Sequence, residues 1–402
     1  MRYFWLPSGS HGDVLPLVGL AREMQRRGHD CVFFANPAFE AAVISAQIEL
    51  HPVGTVEEYH LATSDPDLYH PRKGLSTVGK FLALTLERDF EAMLERLTDQ
   101  PTVLVGTTLS LPVRCLADYR QLPAVTVHLQ PSVVRSHVDP PLLDPSARPL
   151  PAWLDRLLWF GLDHLLVDPL LAAAANRLRR RLGLTRIRGV LGRYQQLADL
   201  TLLFFPEWFS GRPSDWPANL EFCGFPLYDL EGATQLDAPI ENFLAQARQQ
   251  GRQVVVFTGG TGFGNLPEFY ARAVEACGDR AGILLTRHAA NLPERLPDNV
   301  LTAHYAPFSQ LLPRVDAIVH HGGIGTLSQA LAAGIPQVIC PLAHDQFDNA
   351  RRIERLGYGL WCRQPDQLRE SLSQAFSKPG PDRPLESGLG LAADCLERLK
   401  CS

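Results

Sequence analysis

Short apolar runs alternate with stretches whose apolar positions recur every three or four residues. Residues 3–6 read as a buried strand. A glycine-rich loop follows, and then Leu17, Leu20, Ala21 and Met24 fall on one helical face, which Gly28 ends. Further strands are predicted at 31–35, 48–53, 103–106, 125–128 and 200–205. The segment 206–239 breaks the alternation. It is rich in proline, glycine and aromatics and reads as an interdomain linker. The pattern restarts with strands at 253–258, 283–286, 300–303, 317–320 and 337–341. A second proline- and glycine-rich stretch, 378–390, precedes a last helix at 391–400. Strands alternating with helices predict parallel sheets covered on both faces. The expected organisation is a first domain at 1–212, a linker region at 213–240 and a second domain at 241–384, with a C-terminal helix at 385–402.

Composition narrows the class. The chain has 402 residues, 46% hydrophobic and 20% charged, which excludes a disordered chain and supplies enough apolar side chains for two cores. Lys+Arg is 38 against Asp+Glu 43, a net charge of −5, which argues against nucleic acid as the main partner. The eight cysteines are scattered with no C-x-x-C, so they read as free thiols of a reducing compartment rather than a zinc ribbon or redox pair. The N-terminal apolar run is too short for a signal peptide. The longest apolar candidate, 157–176, is interrupted by Asp163, His164, Asp168 and Pro169. A cytoplasmic chain is expected, with peripheral contact at the inner membrane face left open.

Chemistry concentrates at the ends of predicted strands. His320-His321-Gly322-Gly323-Ile324-Gly325-Thr326 runs from a strand through a glycine turn into a helix. A helix N-terminus presents N–H groups and partial positive charge, which suits a phosphate; glycines allow close backbone approach. His321 and Thr326 add side-chain donors. The next strand ends at Asp345-Gln346, a pair that can hydrogen-bond sugar hydroxyls or simply start the following helix. Near the N-terminus, Gly9-Ser10-His11-Gly12-Asp13-Val14-Leu15-Pro16 places a carboxylate and an imidazole in the loop after the first strand. Asp13 can serve as a general base or as a helix cap, and His11 is a rival base.

Together these segments resemble the inverting nucleotide-sugar glycosyltransferases of family 1. That resemblance implies an α/β GT-B fold, with two Rossmann-like domains facing an interdomain cleft. The match rests on His321, Gly323, Gly325 and Thr326 as H-x-G-x-G-T, and on Asp345-Gln346 as the D-Q pair. It implies that His321 and Thr326 contact the donor diphosphate and that Asp345 and Gln346 contact the donor sugar. Thr258-Gly259-Gly260-Thr261 resembles the family's phosphate-facing loop, with Thr261 as a donor contact. Tyr305-Ala306-Pro307-Phe308 resembles its base-stacking segment, with Tyr305 in place of Trp and Phe308 in place of Gln. Gly12-Asp13-Val14-Leu15-Pro16 resembles the version in which an aspartate replaces the catalytic histidine. The later strand end, Val105-Gly106-Thr107-Thr108, lacks the acid that orients such a histidine. Gly12-Asp13-Val14, 205–209, 215–217, 224–229 and 344–350 are similar to the rhamnosyltransferase of rhamnolipid synthesis. The resemblance implies a nucleotide-diphosphate sugar of dTDP-rhamnose or UDP-glucose type as co-substrate, a hydrophobic or lipid-like acceptor, and no metal cofactor. The D-x-D at Asp65-Pro66-Asp67 reads as incidental. Seven arginines between Arg177 and Arg193 read as a solvated face or as a contact for anionic lipid headgroups.

Overall fold

The computed structural model describes residues 1–70, 73–146, 150–229, 235–260, 264–378, 380 and 385–399. The chain divides into two compact units. Unit 1 is Met1–Tyr228 together with the C-terminal segment from Ser387, and unit 2 is Asp229–Glu386. Each is Rossmann-like, with one fully parallel sheet.

In unit 1 the strands are β1 (Arg2–Leu6), β2 (Asp30–Ala35), β3 (Glu49–Pro52), β4 (Thr102–Thr107), β5 (Ala124–His128), β6 (Leu200–Leu203) and β7 (Leu220–Phe222). Their order is β3-β2-β1-β4-β5-β6-β7, every neighbour parallel. In unit 2 the strands are β8 (Val254–Thr258), β9 (Ala281–Leu285), β10 (Val300–Ala303), β11 (Ala317–His320), β12 (Gln337–Ile339) and β13 (Leu360–Trp361). They are ordered β10-β9-β8-β11-β12-β13, again all parallel. In each sheet the winding reverses beside the first strand of the unit: between β1 and β4, and between β8 and β11. Ligands of open parallel sheets bind beyond the carboxyl ends of the strands at such a reversal. The loops after β1 and β11, where the candidate residues lie, are therefore at the switch points.

Burial on both faces explains why these strands read as continuous apolar runs rather than alternating ones. In β8, Val254 and Val256 enter one core cluster, while Val255 and Phe257 enter the cluster on the opposite face. In unit 1, Phe4 and Leu6 pack with Val32, Phe34 and Leu104 on one face of the sheet. The other face carries the helix His11–Arg26, against which the C-terminal helix Leu389–Glu397 rests. Gly19 makes that approach possible, since a Cβ there would meet Tyr228 and Leu389 at about 3 Å. Arg27 fixes the contact with ion pairs to Asp394 (2.6 Å) and Glu397 (2.8 Å).

Two differences from the sequence pattern have local causes. The proline-rich stretch read as linker contains β7, a three-residue edge strand that completes the first sheet. Strand β13 has two residues and gave no periodicity to detect. The Asp65-Pro66-Asp67 triplet is occupied locally: Asp65 caps a short helix through Asp67 N, and Asp67 pairs with Lys73 at 3.0 Å.

Candidate functional site

In unit 2, β11 delivers His320 into the interior and His321 to its end. His320 is fully buried; its Nδ1 accepts from Gly322 N at 3.1 Å, so Nε2 carries the proton and donates to Gln337 Oε1 at 3.0 Å. Burial pushes its pKa down to about 4, so the ring is neutral. Burial first, and the neighbouring His320 second, push His321 down to about 3. His321 is thus a neutral imidazole that can offer one N–H, not a cation.

The glycines have separate uses. Gly322 has φ +93° and packs on Ile339 and the Gln346 backbone. A Cβ on Gly323 or on Gly260, the latter in the loop after β8, would collide with the His321 ring. Gly323 is also the N-cap of the helix Ile324–Ala333, and no side chain among the described residues caps it. Gly325 faces open space and Thr326 is half-buried in the same first turn. No acidic side chain lies in that turn. The result is an uncapped helix start with its N–H groups directed out of the carboxyl edge of the sheet, next to His321.

The next loop is clamped to this one. Asp345 is the N-cap of the helix Gln346–Leu356 and is half-buried. Asn349 Nδ2 donates both to Asp345 Oδ2 (2.8 Å) and to Gly322 O (2.9 Å), tying the two loops together. Gln346 is buried, and its Oε1 accepts from Leu342 N (2.8 Å) and Ala343 N (3.1 Å), so the carbonyl half of the amide is spent on its own loop and the NH2 takes no part in those two bonds. Asn349 was not singled out in the sequence, although its position one helical turn after Asp345 is the signal that places it on the same face. Beneath it Asp348 and Arg352 form a fully buried pair at 2.7 Å, joined by Arg351.

Tyr305 lies in the loop after β10 with 37% of its surface exposed, whereas Phe308 folds back against the core of unit 2. Thr261 lies outside the described residues. Of its loop, Gly259 N is held by the Tyr270 hydroxyl (3.1 Å), which in turn donates to Leu285 O (2.6 Å).

In unit 1 the helix His11–Arg26 starts beyond β1, and its N-cap is Ser10 rather than Asp13. Asp13 sits three positions later and completes a capping box. Ser10 N donates to Asp13 Oδ2 at 2.8 Å and Ser10 Oγ reaches the same oxygen at 3.3 Å. Both donors use Oδ2, which orients Oδ1 for another proton. Gly9, at φ +139°, makes room for the carboxylate, with which a Cβ would collide. Asp13 is half-buried; loss of water from the carboxylate pushes its pKa from 3.8 up to about 6, against the lowering effect of the Ser10 donors. His11 opens the helix and stacks edgewise on Phe39, with ring centroids 4.9 Å apart. The loop is anchored to β4 by Ser8 N on Thr107 Oγ1 (3.0 Å) and by Ser110 Oγ donating to Leu6 O. His128, buried at the end of β5, contacts Thr108 Oγ1 at 2.9 Å.

Residues 278–396 match the family described as erythromycin biosynthesis protein CIII-like, C-terminal domain. Over nearly its whole length the chain is similar to the solved glycotransferase of kitacinnamycin, at TM-score 0.72 and 24% identity, covering 99% of this chain and 98% of that one. The chain has the GT-B fold. Among curated proteins, this GT-B chain is 28% identical to O-mycaminosyltylonolide 6-deoxyallosyltransferase of Streptomyces fradiae, over 89% of this chain and 84% of that protein. It is 24% identical to a sterol 3-beta-glucosyltransferase of Leptosphaeria maculans over 89% of its own length, but spans only about a quarter of that longer protein.

Proposed function

We propose that this GT-B protein is an inverting glycosyltransferase that moves a sugar from a nucleoside-diphosphate donor to a hydroxyl of a hydrophobic or lipid-like acceptor. The observation that carries the reading is the uncapped start of the helix Ile324–Ala333, with His321 and Thr326 beside it and Asp345 pinned to its loop. Three N–H groups, the positive end of the helix and a neutral imidazole donor suit a diphosphate that gains charge as it leaves. Asp345 and the Gln346 amide face hydroxyls of the transferred sugar, and Tyr305 offers a ring to the nucleobase. On the acceptor side Asp13 is the base: Oδ1 takes the proton of the attacking hydroxyl as its oxygen bonds to the anomeric carbon, and the nucleoside diphosphate departs from the opposite face. His11, in ring contact with Phe39, lines the acceptor side in this reading. No residue assignment calls for a metal.

The donor is proposed as a dTDP-deoxysugar such as dTDP-rhamnose, a choice supported by the deoxysugar named in the Streptomyces relative. UDP-glucose with a sterol, polyketide or phenolic acceptor is the second reading, supported by the sterol glucosyltransferase likeness. A thermal-shift panel of dTDP-rhamnose, UDP-glucose and NAD, followed by transfer assays, tests both. The expected result is a rise in melting temperature with a nucleotide sugar and not with NAD, abolished in His321→Ala. A shift with UDP-glucose alone selects the second reading. No shift with any nucleotide sugar overturns the donor assignment.

A further inference from the structure

Nine of the seventeen exposed large apolar side chains among the described residues lie between Val138 and Leu166. Six of them, Trp153, Leu157, Leu158, Phe160, Leu165 and Leu166, belong to one continuous helical segment, 152–181, and each leaves more than half of its surface in water. Isolated apolar residues on a surface are ordinary, but a contiguous group of this size marks an interaction face.

The segment is anchored at one end. Val167, Leu171, Ala172, Ala175 and Leu178 enter the core of unit 1 beside the helix Gly74–Arg96. The preceding half stands out from that core and is braced in place. The Arg135 guanidinium lies 3.7 Å over the Trp159 ring and pairs with Asp163 at 2.8 Å. The apolar face is therefore held outward rather than folded away.

Charge identifies what covers it. Residues 150–193 contain eight arginines and three aspartates, a local +5 in a chain of net −5. Arg179 is consumed internally, in a buried pair with Asp118 and a 2.9 Å bond to Tyr194. Arg156, Arg177, Arg180, Arg186 and Arg188 are exposed. We infer that this face docks on an anionic lipid bilayer surface. The half-helix lies along the headgroup boundary, its apolar side chains enter the acyl edge, and the arginines meet lipid phosphates.

Two other occupants fit less well. The stretch Arg156–Arg181 is long and apolar enough to cross a bilayer by length and composition. Its second half is already packed in the core, however. The exposed part, at 1.5 Å per residue, reaches only ~22 Å, short of a ~30 Å hydrocarbon layer. A second copy of the chain would bring the same positive patch against itself. The inference is independent of the sugar donor, and its test uses none.

The full chain is sedimented with vesicles of phosphatidylcholine alone and with vesicles about one-third phosphatidylglycerol. Binding to the anionic vesicles is expected, about tenfold or more tighter than to neutral ones, and weakened severalfold by raising salt to ~0.5 M. Leu157→Glu with Phe160→Glu reduces it by about tenfold or more, and Arg177→Glu with Arg180→Glu removes the preference for anionic lipid. All four side chains are exposed, so the wild-type melting temperature is expected in both variants. If the first variant unfolds early, Leu165→Glu replaces it. Absent binding, or binding that the apolar substitutions leave unchanged, overturns the inference. So does a stable dimer in light scattering that Leu157→Glu with Phe160→Glu dissociates, or a vesicle-independent complex with an acidic protein at this face.

Discussion

At Asp13 one carboxylate serves two purposes: Oδ2 closes the capping box with Ser10, and in the proposed chemistry Oδ1 takes a proton. Burial sets both consequences. The folded-state pKa of about 6 lies above the ordinary 3.8, so the neutral form is favoured in the fold. Its stabilising contribution is present below about pH 3.8 and is lost as pH rises through about 6. Asp13→Asn keeps an acceptor for Ser10 N and removes the charge. Its melting temperature is expected to equal or exceed the wild type at pH 7, with the gap closing by pH 4. Transfer kcat is expected to fall by at least about 100-fold with donor binding retained. In the wild type kcat should rise with pH through an apparent pKa near 6. Near-normal turnover by the asparagine variant would remove Asp13 as the base.

Whether Asp13 would itself be the helix cap was not decidable from the sequence, because the position of the first helical residue is set by the backbone. The backbone settles it: Ser10 has the extended φ/ψ of an N-cap and Asp13 is three residues inside. Motif residues were legible because glycine, histidine and the D-Q pair sit at fixed offsets from a strand end. Asn349, Gln337 and Tyr270 were not, since what they hold lies 27, 17 and 15 residues away in sequence.

At the scale of elements, each loop beyond a central strand is fixed by a helix start and by hydrogen bonds to its neighbour. Ser10→Ala removes the hydroxyl half of the capping box and leaves the residue-10 backbone N–H on Asp13 Oδ2. A loss of about 1 kcal/mol in denaturant unfolding is expected, with a lowered Asp13-dependent transfer rate. The second loop rests on the buried Asp348–Arg352 pair. Arg352→Met leaves Asp348 buried with Arg351 as its remaining partner. A cost of about 3 kcal/mol is expected, read as a fall in the melting temperature of unit 2. A variant of unchanged stability would show that the pair contributes nothing net. The central strands were readable because burial on both faces makes them continuous apolar runs. Strands β7 and β13 were not, because edge strands of two or three residues carry no periodicity.

Across the whole molecule, both sheets reverse their winding beside their first strand, and both candidate loops emerge there. The C-terminal segment returns to unit 1, so the chain's two ends belong to the same unit. Three histidines, His128, His320 and His321, are held neutral with pKa values of about 4, 4 and 3. Each contributes stability that is present above about pH 6.5 and is lost as pH falls toward about 4. Two of them lie in unit 2 and one in unit 1. Acid scanning calorimetry should therefore show unit 2 losing stability more steeply between pH 6.5 and 4, while in unit 1 the opposite response of Asp13 offsets part of the loss. His320→Gln should flatten the unit 2 curve; an unchanged slope would mean that these rings do not govern it.

By itself the sequence determined the α/β class, the central strands, the position of the glycine turn and the residues around it. These follow from local rules: period, turn chemistry and the adjacency of strand, glycine and helix. Tertiary structure decided which residue caps the first helix, that the proline-rich stretch supplies an edge strand, that Gln346 is half spent on its own loop, and that His321 is uncharged. It also decided that the apolar helix after Pro151 splits into a buried half and an exposed half. Each of these depends on what lies across a sheet or beneath a loop, many residues away along the chain. Burial, hydrogen-bond partners and pKa are properties of that surrounding, and no local pattern encodes them.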